Sequence, residues 1–146
     1  MNTKKNSVSV LQVNFDDKKL IKKIFEIRNQ VFVVEQNVDP SEEYEFEESS
    51  IHFLLFEDKT PCATARYRKT EKGIKLERFA VLKQYRKKGY GNKILKRILE
   101  ELKNNEDVIY LHAQVQVVDF YKKQGFIKKG DIFSEAGIQH YKMIYN

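Results

Sequence analysis

With 146 residues, 41% of them apolar and 33% charged, the chain has the size and balance of a globular domain and is too apolar for a disordered one. No stretch approaches the roughly 18 apolar residues of a membrane-spanning helix, residues 1–6 lack the apolar run of an export signal, and a single cysteine, Cys62, excludes a disulfide within the chain. The net charge of +6 is uneven: residues 1–65 hold 8 Lys and Arg against 12 Asp and Glu, and residues 66–146 hold 19 against 9.

Residues 8–13 alternate as a first strand. Asp16 and Asp17 are placed to cap a helix in which Leu20, Ile21, Ile24, Phe25, Arg28, Val31 and Phe32 recur at helical spacing. Residues 37–50 are acidic and poorly periodic, which predicts a loop or short helix. Strands are predicted over 51–56, 62–70 and 74–82, linked by turns at 57–60 and at Lys72-Gly73. Ile94, Leu95, Ile98, Leu99 and Leu102 then form one helical stripe. A short strand over 108–113 and a short helix over 117–124, ended by Gly125, follow. Strands over 126–133 and 138–145, joined around Gly137, close the chain. With no repeat and no linker composition, residues 1–146 read as a single α/β domain with a mixed sheet. The expected location is cytoplasmic.

The most informative segment is a strand ending at Leu82, a basic turn Arg86-Lys87-Lys88-Gly89-Tyr90-Gly91, and the amphipathic helix behind it. The first N–H groups of a helix have no internal partner, and the helix dipole adds partial positive charge there. Gly89 and Gly91 permit a tight turn and close backbone approach. The combination suits a pyrophosphate, although a tight turn with solvated lysines has the same composition. The third glycine of a dinucleotide fingerprint and the Gly-Lys-Ser/Thr of a nucleoside-triphosphate loop are both absent. Zinc-finger spacing, an RNA-binding aromatic motif and a helix-turn-helix signal are absent too, so the basic half gives no specific sign of nucleic-acid binding.

Arg86-x-x-Gly89-x-Gly91 and Phe120-Tyr121-Lys122-Lys123-Gln124-Gly125-Phe126 resemble the two signatures of the GNAT superfamily of N-acetyltransferases. Where the superfamily often carries Asn, seven residues before the tyrosine, this chain has Gln114. That departure matches an ElaA/YjcF-like subgroup, whose other marks resemble Arg28-x-x-Val31-Phe32-Val33-x-Glu35-Gln36 and Ala136-Gly137-Ile138-x-His140.

The resemblance implies the GNAT acyl-CoA N-acyltransferase fold: a mixed, mostly antiparallel sheet, flanked by helices and splayed at the cofactor strand. It implies acetyl-CoA as acyl donor, with no metal. The backbone of Phe79, Ala80 and Val81 is expected to hydrogen-bond the pantetheine arm and to polarise the thioester carbonyl. Arg86, Lys87, Lys88, Gly89, Tyr90 and Gly91 are expected to hold the pyrophosphate. The implied reaction is direct attack by a primary amine in a ternary complex. Tyr121 matches the acid on the thiolate side. The base has three candidates: Glu77 on the cofactor strand, His112 on the neighbouring strand, and a water chain. Uninterrupted strand alternation puts Glu77, Phe79 and Val81 on one face; Glu77 is also a candidate ion-pair partner of Arg66 or Arg78. Gln114 is expected to bond the cofactor arm or to fix the split between strands, and Cys62 to be a small core residue. Arg28, Glu35, Gln36, Glu45 and Glu48 fall in the acceptor region, where an acidic stretch would attract a cationic amine or remain a solvated loop. The expected partners are a small-molecule or peptide amine, with no nucleic acid and no membrane, and with homodimer pairing through the C-terminal strands. A regulator that binds CoA without turnover is the alternative function.

Overall fold

Apolar alternation along residues 51–57 sends Phe53 and Leu55 to one side of a sheet and Leu54 to the other, and all three are fully buried. The sheet is therefore covered on both faces. In a computed structural model, which describes residues 7–146, its strands are β1 (Val8–Val13), β2 (Ile51–Glu57), β3 (Thr60–Thr70), β4 (Gly73–Val81), β5 (Ile109–Gln114), β6 (Phe126–Glu135) and β7 (Ile138–Tyr145). Their order is β1-β2-β3-β4-β5-β7-β6, and only the β4–β5 pair is parallel. The residues read for an export signal lie outside the described range.

One face is covered by α1 (Lys18–Arg28), whose Asp17 side chain accepts from Leu20 N at 3.2 Å as an N-cap, and whose Ile21, Ile24 and Ile27 are buried against Leu54 and Ala80. The sequence predicts this helix through Phe32; instead it widens into a π-helical segment, Asn29–Glu35. Within that segment Val31 and Phe32 stay buried, and Phe32 O accepts from Val38 N at 2.8 Å. The acidic stretch contains a single helical turn, α2 (Pro40–Glu43), capped by Asp39.

The other face carries α3 (Tyr90–Glu101) and α4 (Val118–Lys123). Ile94, Leu95 and Ile98 of α3 are fully buried beside Leu76, Leu111 and Cys62. Each such side chain contributes about 2 kcal/mol of transfer free energy. Cys62 is the core residue the sequence implied, and burial pushes its thiol pKa up. Gly73 opens β4 at φ +130°, where a Cβ would lie 2.2 Å from Val108 O. That contact is forced by Ile74 N donating to Val108 O at 2.7 Å, so only glycine fits.

Two irregularities position the site. β4 and β5 pair only at Ile74–Ile109, Lys75–Tyr110 and Leu76–Leu111; beyond these residues the two strands diverge, and β5 continues on β7 to the Gln114–His140 pair. The expected splay is present. The second irregularity is a β-bulge. Thr64 opposes Ala80 and Arg66 opposes Glu77, so β4 carries one extra residue, with Arg78 at φ +59°. The extra residue reverses strand parity. Phe79 and Val81 pack towards α3, whereas Glu77 joins Arg66 on the opposite face. The expectation of one face for Glu77, Phe79 and Val81 is corrected accordingly.

Candidate active site

The splay opens a cavity of about 920 Å³ between the diverging ends of β4 and β5. Ten of the residues expected to hold the acyl donor line it: Phe79, Ala80, Val81, Arg86, Lys87, Gly89, Tyr90, Gly91, Gln114 and Tyr121. Past Leu76 the β5 side of β4 has no strand partner, so its backbone groups are available to an extended, amide-bearing chain. Gly89 caps α3 at φ +78° with open space around it, leaving the helix N-terminus accessible to an anion. These features fit the pantetheine and pyrophosphate of an acyl-CoA.

Two of the three cations of the turn, Arg86 and Lys88, already have partners. Arg86 forms a two-pronged pair with Glu35 at 2.9 and 3.0 Å, and its Nε donates to Val81 O at 2.9 Å. Lys88 does not line the cavity and lies 3.1 Å from Glu57. Tyr90 donates a hydrogen bond to the same carboxylate, which raises its phenol pKa to about 12. The turn is thus anchored to β2 through Glu57 and to the π-helical segment through Glu35.

Tyr121 on α4 is packed edge-on against Phe79, Phe120 and Phe126, with ring centroids 5.0–5.9 Å apart. Burial raises its pKa, and among the described residues its hydroxyl has no hydrogen-bond partner. A phenol that stays protonated, lines a cavity and is uncommitted can donate to a reacting group.

Glu77 also lines the cavity, but its carboxylate is committed to cations. Arg66 donates to its Oε1 at 2.7 and 3.0 Å and Arg68 at 2.6 Å, while Lys75 lies 3.4 Å from Oε2. Burial opposes the negative charge, but the surrounding cations outweigh it and hold the carboxyl at about 2. A base with that affinity for protons is almost inert near neutrality.

The neighbouring ion pairs account for much of the acidic stretch. Arg28 is buried and does not line the cavity: Nε donates to Glu43 at 2.7 Å, and its two terminal nitrogens reach Glu47 at 2.8 and 2.9 Å. Arg66 also reaches Glu47, at 2.6 Å. Glu45 lines the cavity, with its carboxylate 3.6 Å from Arg78, whereas Glu48 is exposed elsewhere. Arg28, Glu35 and Glu48 therefore stand outside the cavity wall, and Gln36 and Glu45 stand in it. Gln36 and Gln114 exchange amide hydrogen bonds at 2.9 and 3.4 Å, so Gln114 ties the π-helical segment to β5 at the split.

Sequence reasoning missed Glu135. His112 Nδ1 lies 3.0 Å from Glu135 Oε2, and both residues line the cavity. Glu135 was legible only as a neighbour of the Ala136-Gly137 turn. The anchoring role of Glu57 and the bulge at Arg78 had no sequence signal, since both arise from tertiary register.

A sheet opened between two parallel strands, with a helix N-terminus at the opening, is the layout of the GNAT acyl-CoA N-acyltransferase fold. The chain belongs to the GNAT acetyltransferase family: the acetyltransferase (GNAT) domain model matches residues 13–146. Over 127 residues it is 37% identical to an uncharacterized N-acetyltransferase, YjcF, of Bacillus subtilis, covering 85% of this chain and 91% of that protein. The crystal structure of Escherichia coli ElaA superposes with a TM-score of 0.80 at 22% identity, over 96% of this chain and 100% of that one, a similarity of fold. Arabidopsis thaliana Naa50, solved in complex with the bisubstrate analogue CoA-Ac-MVNAL, matches with a TM-score of 0.72 at 25% identity, over 96% and 99% of the chains. The family chemistry is acyl transfer, and the relatives include both ElaA and YjcF. Among the described residues, no helix is long and apolar enough to cross a membrane.

Proposed function

We propose that this protein transfers an acetyl group from acetyl-CoA to a primary amine of a small molecule or peptide, by direct attack in a ternary complex. The observation that carries this reading is the unpartnered Tyr121 phenol on the wall of the cavity that the sheet splay opens. The complex of Naa50 with a CoA-linked acetyl-peptide analogue supports a donor and an acceptor meeting in one cleft of this fold.

Bound acetyl-CoA supplies a thioester whose carbonyl carbon the amine attacks, forming the C–N bond as the C–S bond breaks. The chain has five tasks. The β4 backbone from Phe79 to Val81, which has no strand partner on the β5 side, aligns the amide-bearing arm and donates N–H to the carbonyl oxygen. The α3 N-terminus with Arg86 and Lys87 holds the phosphates. Tyr121 donates its proton to the departing sulfur. His112 takes the proton from the amine, directly or through one water, because Glu77 is committed to its cations. At the acceptor end, Glu45 and Gln36 supply polar contacts for the amine.

The test is thiol release from acetyl-CoA with a panel of polyamines, amino sugars, small amines and peptides, with mass spectrometry of the products. A product heavier by one acetyl group on nitrogen is expected. Tight acetyl-CoA binding with no product from any amine would instead identify a CoA-binding regulator.

A further inference from the structure

The acceptor end of the cavity contains a charge couple, His112 and Glu135, whose mutual bond the reaction scheme leaves without a role. Glu135 is the last residue of β6, followed by Ala136 at φ +52° and Gly137 at φ +75°. This turn is braced by His140, whose Nδ1–H donates to Ile138 O at 2.7 Å, and whose ring stacks on Phe133 at 5.8 Å. Phe133 in turn meets the His112 ring edge-on at 4.9 Å. The turn and the two rings fix Glu135 and His112 relative to one another. The Ala136-Gly137-Ile138-x-His140 motif thereby acquires a physical purpose, which is to deliver a carboxylate to β5.

We propose that Glu135 is a positioning residue for the proton acceptor. It accepts a hydrogen bond from Nδ1–H of His112, which selects that tautomer, leaves Nε2 as the basic atom and stabilises the imidazolium formed when the amine gives up its proton. This inference rests on His112 acting as base in the proposed reaction. The contact is not an ordinary surface ion pair. The His112 side chain is only 23% exposed and Glu135 only 42%, and both residues line the cavity. The bond to His112 holds the Glu135 carboxyl below its ordinary range against the effect of burial, with Lys75 and His140 adding to it. Other charged or titratable groups around the couple are Lys75 and Glu77 on β4, Tyr110 on β5, and His140, Tyr141 and Lys142 on β7. Lys75 is paired with Glu77 at 3.4 Å, and Lys142 sits over the Tyr110 ring at 5.1 Å, which leaves Glu135 as the carboxylate bonded to His112.

Nitrogen-15 nuclear magnetic resonance of the three histidines, each assigned with a His→Gln variant, reads the ring tautomers without any acceptor. Wild-type His112 is expected to carry its neutral-form proton on Nδ1, whereas Glu135→Ala loses that preference and Glu135→Asp keeps most of it. With the best amine from the panel, Glu135→Gln is expected to lower kcat at least about tenfold, with the acetyl-CoA KM unchanged. In a His112→Ala background the same substitution should cost nothing further. An unchanged His112 tautomer in a folded Glu135→Ala protein, or full additivity with His112→Ala, overturns the inference. The Nδ1–H tautomer of His112 together with no amine turnover at all would overturn the acetyl-transfer reading, and with it the positioning role.

Discussion

Glu77 gives the sharpest division between a structural anchor and a catalytic base. Glu77→Gln keeps the shape and removes the charge on which Arg66 and Arg68 converge at 2.6–3.0 Å and to which Lys75 lies within 3.4 Å. The folded carboxyl is held at about 2 against an ordinary 4.5, a difference that corresponds to roughly 3 kcal/mol of stability at neutral pH. Breaking a buried ion pair by neutralising one partner costs about 3–5 kcal/mol, in agreement. Because the folded value is depressed, this contribution is fully present above about 4.5 and is lost as pH falls through about 2. Equilibrium urea unfolding of wild type and variant across pH 3 to 7 reads it. The variant should be about 3 kcal/mol less stable at pH 7, with a gap that narrows steadily below pH 4.5, while kcat of the folded variant stays within a few fold. Native stability at pH 7 combined with a fall in kcat of ~10²-fold or more would refute the anchor role and return Glu77 to the position of base.

Two further outcomes follow from the geometry. Glu45→Lys places a cation on the cavity wall beside Arg78 and is expected to raise the KM of a cationic acceptor, whereas Glu48→Lys, outside the wall, should leave it unchanged; steady-state kinetics at fixed acetyl-CoA decide this. Gly73→Ala drives a Cβ into Val108 O and forces a side chain onto φ +130°, so thermal or urea unfolding should show a loss of more than about 1 kcal/mol.

Most of this architecture was readable from local pattern. The alternation of Phe53, Leu54 and Leu55 and the stripe of Ile94, Leu95 and Ile98 state their periods openly, and the strand–turn–helix around Arg86-x-x-Gly89-x-Gly91 announces an anion cradle. The errors arose where long-range register overrode local spacing. The bulge at Arg78 turned Glu77 away from Phe79, and nothing in the order of residues 76–82 marks it, because a non-glycine residue at φ +59° is held there by β3 rather than by its own preference. The π-helical widening after Arg28 is similarly invisible in a pattern that continues to place apolar residues at helical intervals. The acidic stretch looked like a lure for cations because its partners Arg28 and Arg66 lie elsewhere in the sequence, on α1 and β3.

The central claim is that this cavity performs acyl transfer with Tyr121 as proton donor. It is tested most directly by the single-turnover rate of acetyl transfer to the best amine in wild type and in Tyr121→Phe. The substitution removes only a hydroxyl that has no partner among the described residues, so the fold should be unaffected. The rate is expected to fall by ~10²-fold or more with the acetyl-CoA KM unchanged; a wild-type rate in the variant would contradict the account.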